Sequence, residues 1–259
     1  MWLLGFLTSV VIAQSFDFNK AYADYVFSLD LYQKAHAEYV LSRGQYLASK
    51  TVAAQQKAID STKSMLGSRD TATSNYLTAV RMRIRENTGI TENDKNNLYA
   101  MIDPDIAWYA DHKAKLGSAG SLDDLVKDSN EAKDYYQKTT QPNVYKVLVY
   151  NAIGKLTIFR TIDKNAITDL NAKILEIKAN GDKKTDTVDR AILDAQNGLE
   201  RASEKESTAL SGINSTKNTS RDPSSGYNTA QDLLAQSLGY IKEANNILIE
   251  VVRNIKTAD

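Results

Sequence analysis

Tyrosine is the residue type whose number and spacing could do chemistry in this chain. Fourteen tyrosines occur, and Tyr22, Tyr25, Tyr32, Tyr39 and Tyr46 share one helical stripe with Phe18, Leu29, His36 and Arg43. Tyr135, Tyr136, Tyr145 and Tyr150 form a second cluster. A tyrosine face offers large, rigid contact area with a polar tip, which suits a ligand, a glycan or a protein partner. The same spacing also describes the buried face of a bundle helix whose hydroxyls reach the rim. That core assignment is the expectation for the stripe, and under it Tyr32→Ala lowers the melting temperature by several degrees.

Other chemistries find little support. The absence of cysteine excludes disulfides, thiolate zinc sites and cysteine nucleophiles. Only two histidines are present, and neither His36 nor His112 has a glutamate three residues before it, as a di-iron carboxylate bundle requires. His36 sits on the tyrosine stripe and is expected as a hydrogen-bonded core or boundary residue. His112 lies in a lysine-rich segment and is expected to be exposed. No Gly-x-Ser-x-Gly elbow, phosphate loop or dinucleotide fingerprint occurs. Pairs such as Asp123/Asp124 and Glu204/Glu206 read as solvated helix charges. No catalytic, cofactor-binding or metal-ligating residue is assigned, and the chain is expected not to be an enzyme. Thirty-two basic and thirty-two acidic residues cancel, which argues against a nucleic-acid partner.

The elements that must carry these residues are helices. Val188, Ile192, Ala195, Leu199, Ala202, Glu206, Ala209 and Ile213 follow heptad spacing, as do Leu234, Leu238, Ile241, Asn245, Leu248, Val252 and Ile255. Arg43, Glu206 and Asn245 are polar stops on these stripes and read as register-setting devices. Asp103-Pro104, Gln141-Pro142 and Asp222-Pro223 each suit an N-cap followed by the first helical residue. Gly89, Gly117 and Gly181 suit left-handed C-caps. The spacing predicts helices over about 17–49, 52–87, 91–116 with a break at Pro104, 122–139, 142–180, 186–213 and 226–257. Whether the first two are one continuous helix is open, because the 49–51 junction holds neither Gly nor Pro. The fold class is therefore all-α: an elongated antiparallel bundle of long helices with coiled-coil-like heptad packing.

Residues 2–13 are uncharged and apolar, of the length of a signal-peptide core and too short to span a bilayer. Residues 1–15 are expected to be a signal peptide, and 16–259 a single bundle with a flexible loop at about 211–226. The run Val144–Ile162 carries Lys146, Lys155 and Arg160 and reads as a core helix. Asn214 and Asn218 head glycosylation-type sequons in a Ser/Thr-rich segment, where chance accounts for them. The expected function is a non-enzymatic, extracytoplasmic structural or interaction role at a cell envelope. The partner is expected to be another protein or envelope component, and a homo-oligomer is compatible with the pattern. The alternative is a periplasmic or extracellular ligand-binding helical module.

Overall fold

The computed structural model describes residues 17–179, 186–215 and 223–257. Among the described residues seven α-helices follow one another: α1 Phe18–Ser49, α2 Val52–Glu86, α3 Glu92–Lys115, α4 Leu122–Tyr135, α5 Gln141–Ala179, α6 Asp186–Ser215 and α7 Pro223–Thr257. Among the described residues there is no strand. The fold is an elongated all-α bundle, as the heptads predict.

Sequence-local chemistry sets the helix starts. Asp17, Thr51, Thr91 and Ser121 each accept the amide of the residue three positions on, at 3.0–3.2 Å. The open question at residue 50 resolves into a turn. Lys50 takes a left-handed conformation (φ 50°) and returns its N–H to the Tyr46 carbonyl at 2.8 Å, so α2 folds back antiparallel to α1. Gly89 and Gly117 do not play the expected left-handed role, since neither has a positive φ. Gly181 lies outside the described residues.

Two prolines sit inside helices rather than at their starts. Pro104 does not break α3. The turn at Ala100 and Pro104 is exposed, so the carbonyl that loses its amide donor faces water. Pro142 falls within a helical rod that runs unbroken from Leu122 to Ala179. The missing proline N–H is absorbed by a widened π turn at Tyr136–Thr140, in which the Gln141 N–H reaches back to the Tyr136 carbonyl. At 1.5 Å per residue this rod is about 85 Å long. Pro223 opens α7 three residues before the expected start, and α6 runs two residues longer, so only 216–222 of the expected loop lies outside the described residues.

The rod is a shared spine. Its first half packs with α2 and α3, around Leu77, Ile84, Leu98, Ile102, Val144 and Val147, and α1 joins through α2. Its second half packs with α6 and α7, around Ile167, Ile192, Leu199, Leu234, Ile241 and Leu248. The cores abut on α5 near Gly154, where the α2–α3 turn docks. A Cβ on Gly89 would lie 1.8 Å from the Gly154 carbonyl oxygen, so the backbones themselves are in contact. Asn87 Nδ2 clamps the joint by donating to the Asn151 carbonyl (2.8 Å) and side-chain Oδ1 (2.9 Å).

On α6 the predicted stripe is the buried one, apart from half-buried Val188 at its start. On α7 the buried face is Ala230, Leu234, Ser237, Ile241, Ala244, Leu248 and Val251. It is rotated slightly from expectation, because small residues admit closer approach than Leu238, Asn245 and Val252 would. Gly198 of α6 meets Ala244 there. Glu206 is a buried polar stop, bonded to Arg160 (2.8 Å) and Ser237 (2.8 Å). Asn245 is exposed and donates to buried Asp163 (2.8 Å).

Candidate functional site

The tyrosine stripe of α1 is not core. The residues that α1 buries are Ala21, Ser28 and Ser42, with Ala35 between them half-buried, all seven apart. Small side chains at that repeat let α1 lie close on α2. The helix is pinned at Phe18 N–H by Glu86 (2.7 Å) and across its middle by the Lys57–Glu38 pair (3.3 Å). Tyr25, Tyr32, Tyr39 and Tyr46, also seven apart, stand beside this seam and are half-buried. Tyr22 is half exposed, and His36 is exposed between the Tyr32 and Tyr39 rings, 6.0 Å from each. The expectation of a hydrogen-bonded core histidine fails, because the seam rather than the stripe faces α2.

These four tyrosines form one wall of an open groove. The floor is α2, and the opposite wall is α4, the π turn and the first turns of α5. Toward the start of α1, Tyr25 and Tyr32 face Tyr136, Tyr145 and Leu148 across Arg69 and Tyr76, enclosing about 360 Å³. Tyr25 packs on Tyr76 with ring centres 5.3 Å apart. Toward the end of α1, Tyr39, Arg43 and Tyr46 face Leu122, Leu125 and Val126, enclosing about 250 Å³. Two guanidinium groups line the groove, and no carboxylate does. Burial pushes the Tyr76 and Tyr136 phenols above their usual range. They are neutral at physiological pH and act as hydrogen-bonding contact groups, not as bases.

Behind the groove lies a buried polar layer. Arg69 donates two bonds to Asp70 Oδ1 (3.2 and 3.1 Å), and Asp70 Oδ2 meets His112 Nδ1 at 2.6 Å. His112 Nε2 points to the Asp128 carbonyl at 3.1 Å. The Asp128 carbonyl can only accept, so Nε2 carries a proton, and the Nδ1 contact with the Asp70 carboxylate favours the doubly protonated, charged ring. The bond to the Asp70 carboxylate accordingly raises its pKa, against burial. His112 is 3 % exposed, not exposed as expected, because it turns inward onto an aspartate of α2.

Trp108 is sandwiched between His112 (4.8 Å) and Tyr135 (4.0 Å, 3° between planes). Tyr135 donates to Asp105 at 2.7 Å, and Asn143 holds the other oxygen at 3.2 Å. Burial pushes Asp105 up and Tyr109 to about 12.

The expected second tyrosine cluster is therefore divided. Tyr135 belongs to the polar layer, Tyr136 and Tyr145 to the groove, and Tyr150 accepts a bond from Asn214 (3.3 Å). Asn218 lies outside the described residues. Arg69, Asp70 and Trp108 were not singled out in the sequence. The pairing of Trp108 with His112 at i,i+4 was the available signal.

His112, Asp128 and Glu131 are near enough to share an ion. However, the His112 Nε2 proton is directed at the Asp128 carbonyl, so that ring offers no lone pair. The arrangement offers a contact surface, and its polar layer ties α2 to α3 and α4 behind the groove floor. No protein-family model, curated protein or solved structure matches the chain.

Proposed function

We propose that this protein is a non-enzymatic interaction protein of the extracytoplasmic cell envelope, with the groove along α1 as its protein-docking site. The observation that carries the reading is the reversed polarity of α1. It turns alanine and serine toward its own fold and leaves Tyr22 (50 % exposed), Val26 (47 %), Phe27 (65 %), Val40 (55 %) and Leu47 (53 %) outside. A helix that serves only its own core does the opposite. Contiguous exposed apolar surface marks contact sites, and tyrosine and arginine are the residue types that anchor them. Arg43, a groove guanidinium not paired with Asp70 as Arg69 is, favours a partner segment with an acidic side chain. The extracytoplasmic placement rests on the apolar run at residues 2–13, which has the character of an export signal. Among the described residues no helix is long and apolar enough to cross a membrane.

A photo-reactive residue placed at Tyr32 or Tyr39 in native cells tests the reading. Adducts are expected from these positions and not from exposed Leu193 on α6. With the captured partner purified, Tyr32→Ala is expected to weaken binding at least tenfold with little change in melting temperature. Equal labelling from all three sites, or none from the groove, overturns the reading. A second reading, a module for a small ligand, is favoured by the 360 Å³ hollow, within the size range of ligand sites. A ligand at 100 times its dissociation constant would add about 2.7 kcal/mol to stability in a thermal-shift screen.

A further inference from the structure

Beside the tyrosine wall, α1 carries a second stripe turned outward from the Ala21–Ser42 seam, whose Leu29, Arg43 and Leu47 also reach the rim of the groove. Read in heptad order it is Tyr22, Val26, Leu29, Gln33, His36, Val40, Arg43 and Leu47. Of these, Tyr22, Val26, Val40 and Leu47 rank among the large apolar side chains left outside, and Gln33, His36 and Arg43 are exposed as well. The stripe is nearly the same in both directions: apolar at its ends, polar at its centre.

Antiparallel helices pair each first heptad position with the other kind on the facing helix. Applied to two copies of α1, that rule sets Tyr22 opposite Leu47, Leu29 opposite Val40, and Gln33 opposite His36, each pair occurring twice about a two-fold axis. Val26 meets Arg43, whose aliphatic stem covers apolar surface while its charge escapes to solvent. A slip of one heptad sets His36 against valine, so the polar centre fixes the register.

The flanks agree. On one side Ala23, Ala37 and Gly44 are small and let the helices approach, and Asp30 between them is paired with Lys34 of its own helix. On the other side stand the groove tyrosines. The helix holds Lys20, Lys34 and Arg43 against Asp24, Asp30 and Glu38, so two reversed copies meet without net repulsion. Asp24 of one copy then comes within a turn of Arg43 of the other.

We infer that a second copy of this chain docks on α1, forming an isologous dimer through an antiparallel α1–α1 pair centred between Gln33 and His36. The overlap from Tyr22 to Leu47 is about 39 Å long. The inference rests on the reading of α1 as a contact surface and names one occupant for it. The second copy's helix lies along the mouth of the groove.

The full chain is measured by light scattering over a concentration series, with cysteine trapping to fix the register. The native chain has no cysteine, so every trapped disulfide is an introduced one. The expected mass is twice the 28.7 kDa of one chain. Val26→Cys combined with Arg43→Cys is expected to give a covalent dimer under mild oxidation, and each single variant none. Val40→Glu, at an outward position that the monomer does not need, is expected to give a helical monomer.

A mass of 28.7 kDa at every concentration overturns the inference. So does a covalent dimer from Val26→Cys alone, which means parallel pairing, or a Val40→Glu dimer of undiminished stability. A monomer that still gives adducts from Tyr32 with a different protein removes the dimer and leaves the contact reading standing. A monomer without adducts removes both.

Discussion

Helices α1 and α6 have the same heptad spacing in sequence and opposite arrangements in space. α6 buries Ile192, Ala195, Leu199, Ala202, Glu206, Ala209 and Ile213, consecutive stops of its apolar stripe. α1 buries Ala21, Ser28 and Ser42 and turns its large side chains outward. Periodicity therefore shows that a helix has a face. It does not show whether that face serves the protein's own core or something beyond it. The deciding feature on α1 is a competing repeat of small residues, because Ala and Ser admit closer backbone approach to α2 than tyrosine would.

Truncating one leucine on each helix breaks this comparison most directly. Leu199 is 1 % exposed in the α5–α6–α7 core, and Leu199→Ala is expected to cost about 3 kcal/mol. In a domain of this size that is a fall of roughly 10 °C in melting temperature. Leu41, outside both the groove and the self-pairing stripe, is 53 % exposed, and Leu41→Ala is expected to change stability by less than about 0.5 kcal/mol. Similar losses at both positions in thermal unfolding would mean that α1 packs as α6 does.

The next largest effect is expected where the two packing regions join. Gly89 and Gly154 touch backbone to backbone, and a Cβ on Gly89 has no flexible side chain to displace. Gly89→Ala is expected to cost about 2–3 kcal/mol through overpacking. Gly44, on the outward side of α1, has nothing within 4 Å of an added Cβ. Gly44→Ala is there expected to stabilise by up to about 1 kcal/mol, as alanine does in an exposed helix interior. Urea titration of both variants gives the two signs directly.

Much of the fold was legible in the sequence. The caps at Thr91 and Ser121, the seam of α6 and all but a few residues of each helix boundary follow from local chemistry. Pro104 and Pro142 misled because local rules place proline at helix starts, whereas packing of Ile102, Asp105 and Tyr109 keeps α3 continuous and a π turn absorbs Pro142. The groove was half legible. Its tyrosines stood out by type and period, but their side of the helix depended on α2. The Asp70–His112 pair was illegible, since its residues lie on different helices and neither segment alone signals burial.

Both packing regions hold a buried ion pair, and pH distinguishes them. In the α6 region, burial raises Glu206 from 4.5, opposed by Ser237 and Arg160, so its linked loss of stability begins at lower pH than that of a histidine raised from 6.5. In the α2–α3 region, the His112 pKa is raised above 6.5 by the bond that it donates to Asp70. The stabilisation from His112 is therefore fully present below about pH 6.5 and is lost as pH rises through the raised value. The melting temperature is expected to fall over that climb. His112→Gln is expected to melt lower at pH 6, by on the order of 2 kcal/mol, and to show a flatter profile. Parallel profiles for the two proteins would show that His112 does not carry the charge.

The smallest expected effect concerns the turn that lets α1 reverse onto α2. Lys50 holds φ 50° with an exposed side chain, in a conformation that costs an L-residue with a Cβ about 1–2 kcal/mol. Lys50→Gly removes that cost but adds freedom to the unfolded chain, so the net gain is expected to be about 0.5–1 kcal/mol. The turn is useful because it strains neither the small-residue seam nor the tyrosine wall. A stabilised turn should therefore leave dimer mass and groove labelling unchanged while raising the melting temperature by a few degrees. If Lys50→Gly instead loosens α1, seen as faster hydrogen exchange along its seam, the lysine is holding the helix in place. The close fit of Ala21, Ser28 and Ser42 on α2 would then depend on the turn rather than on the packing itself.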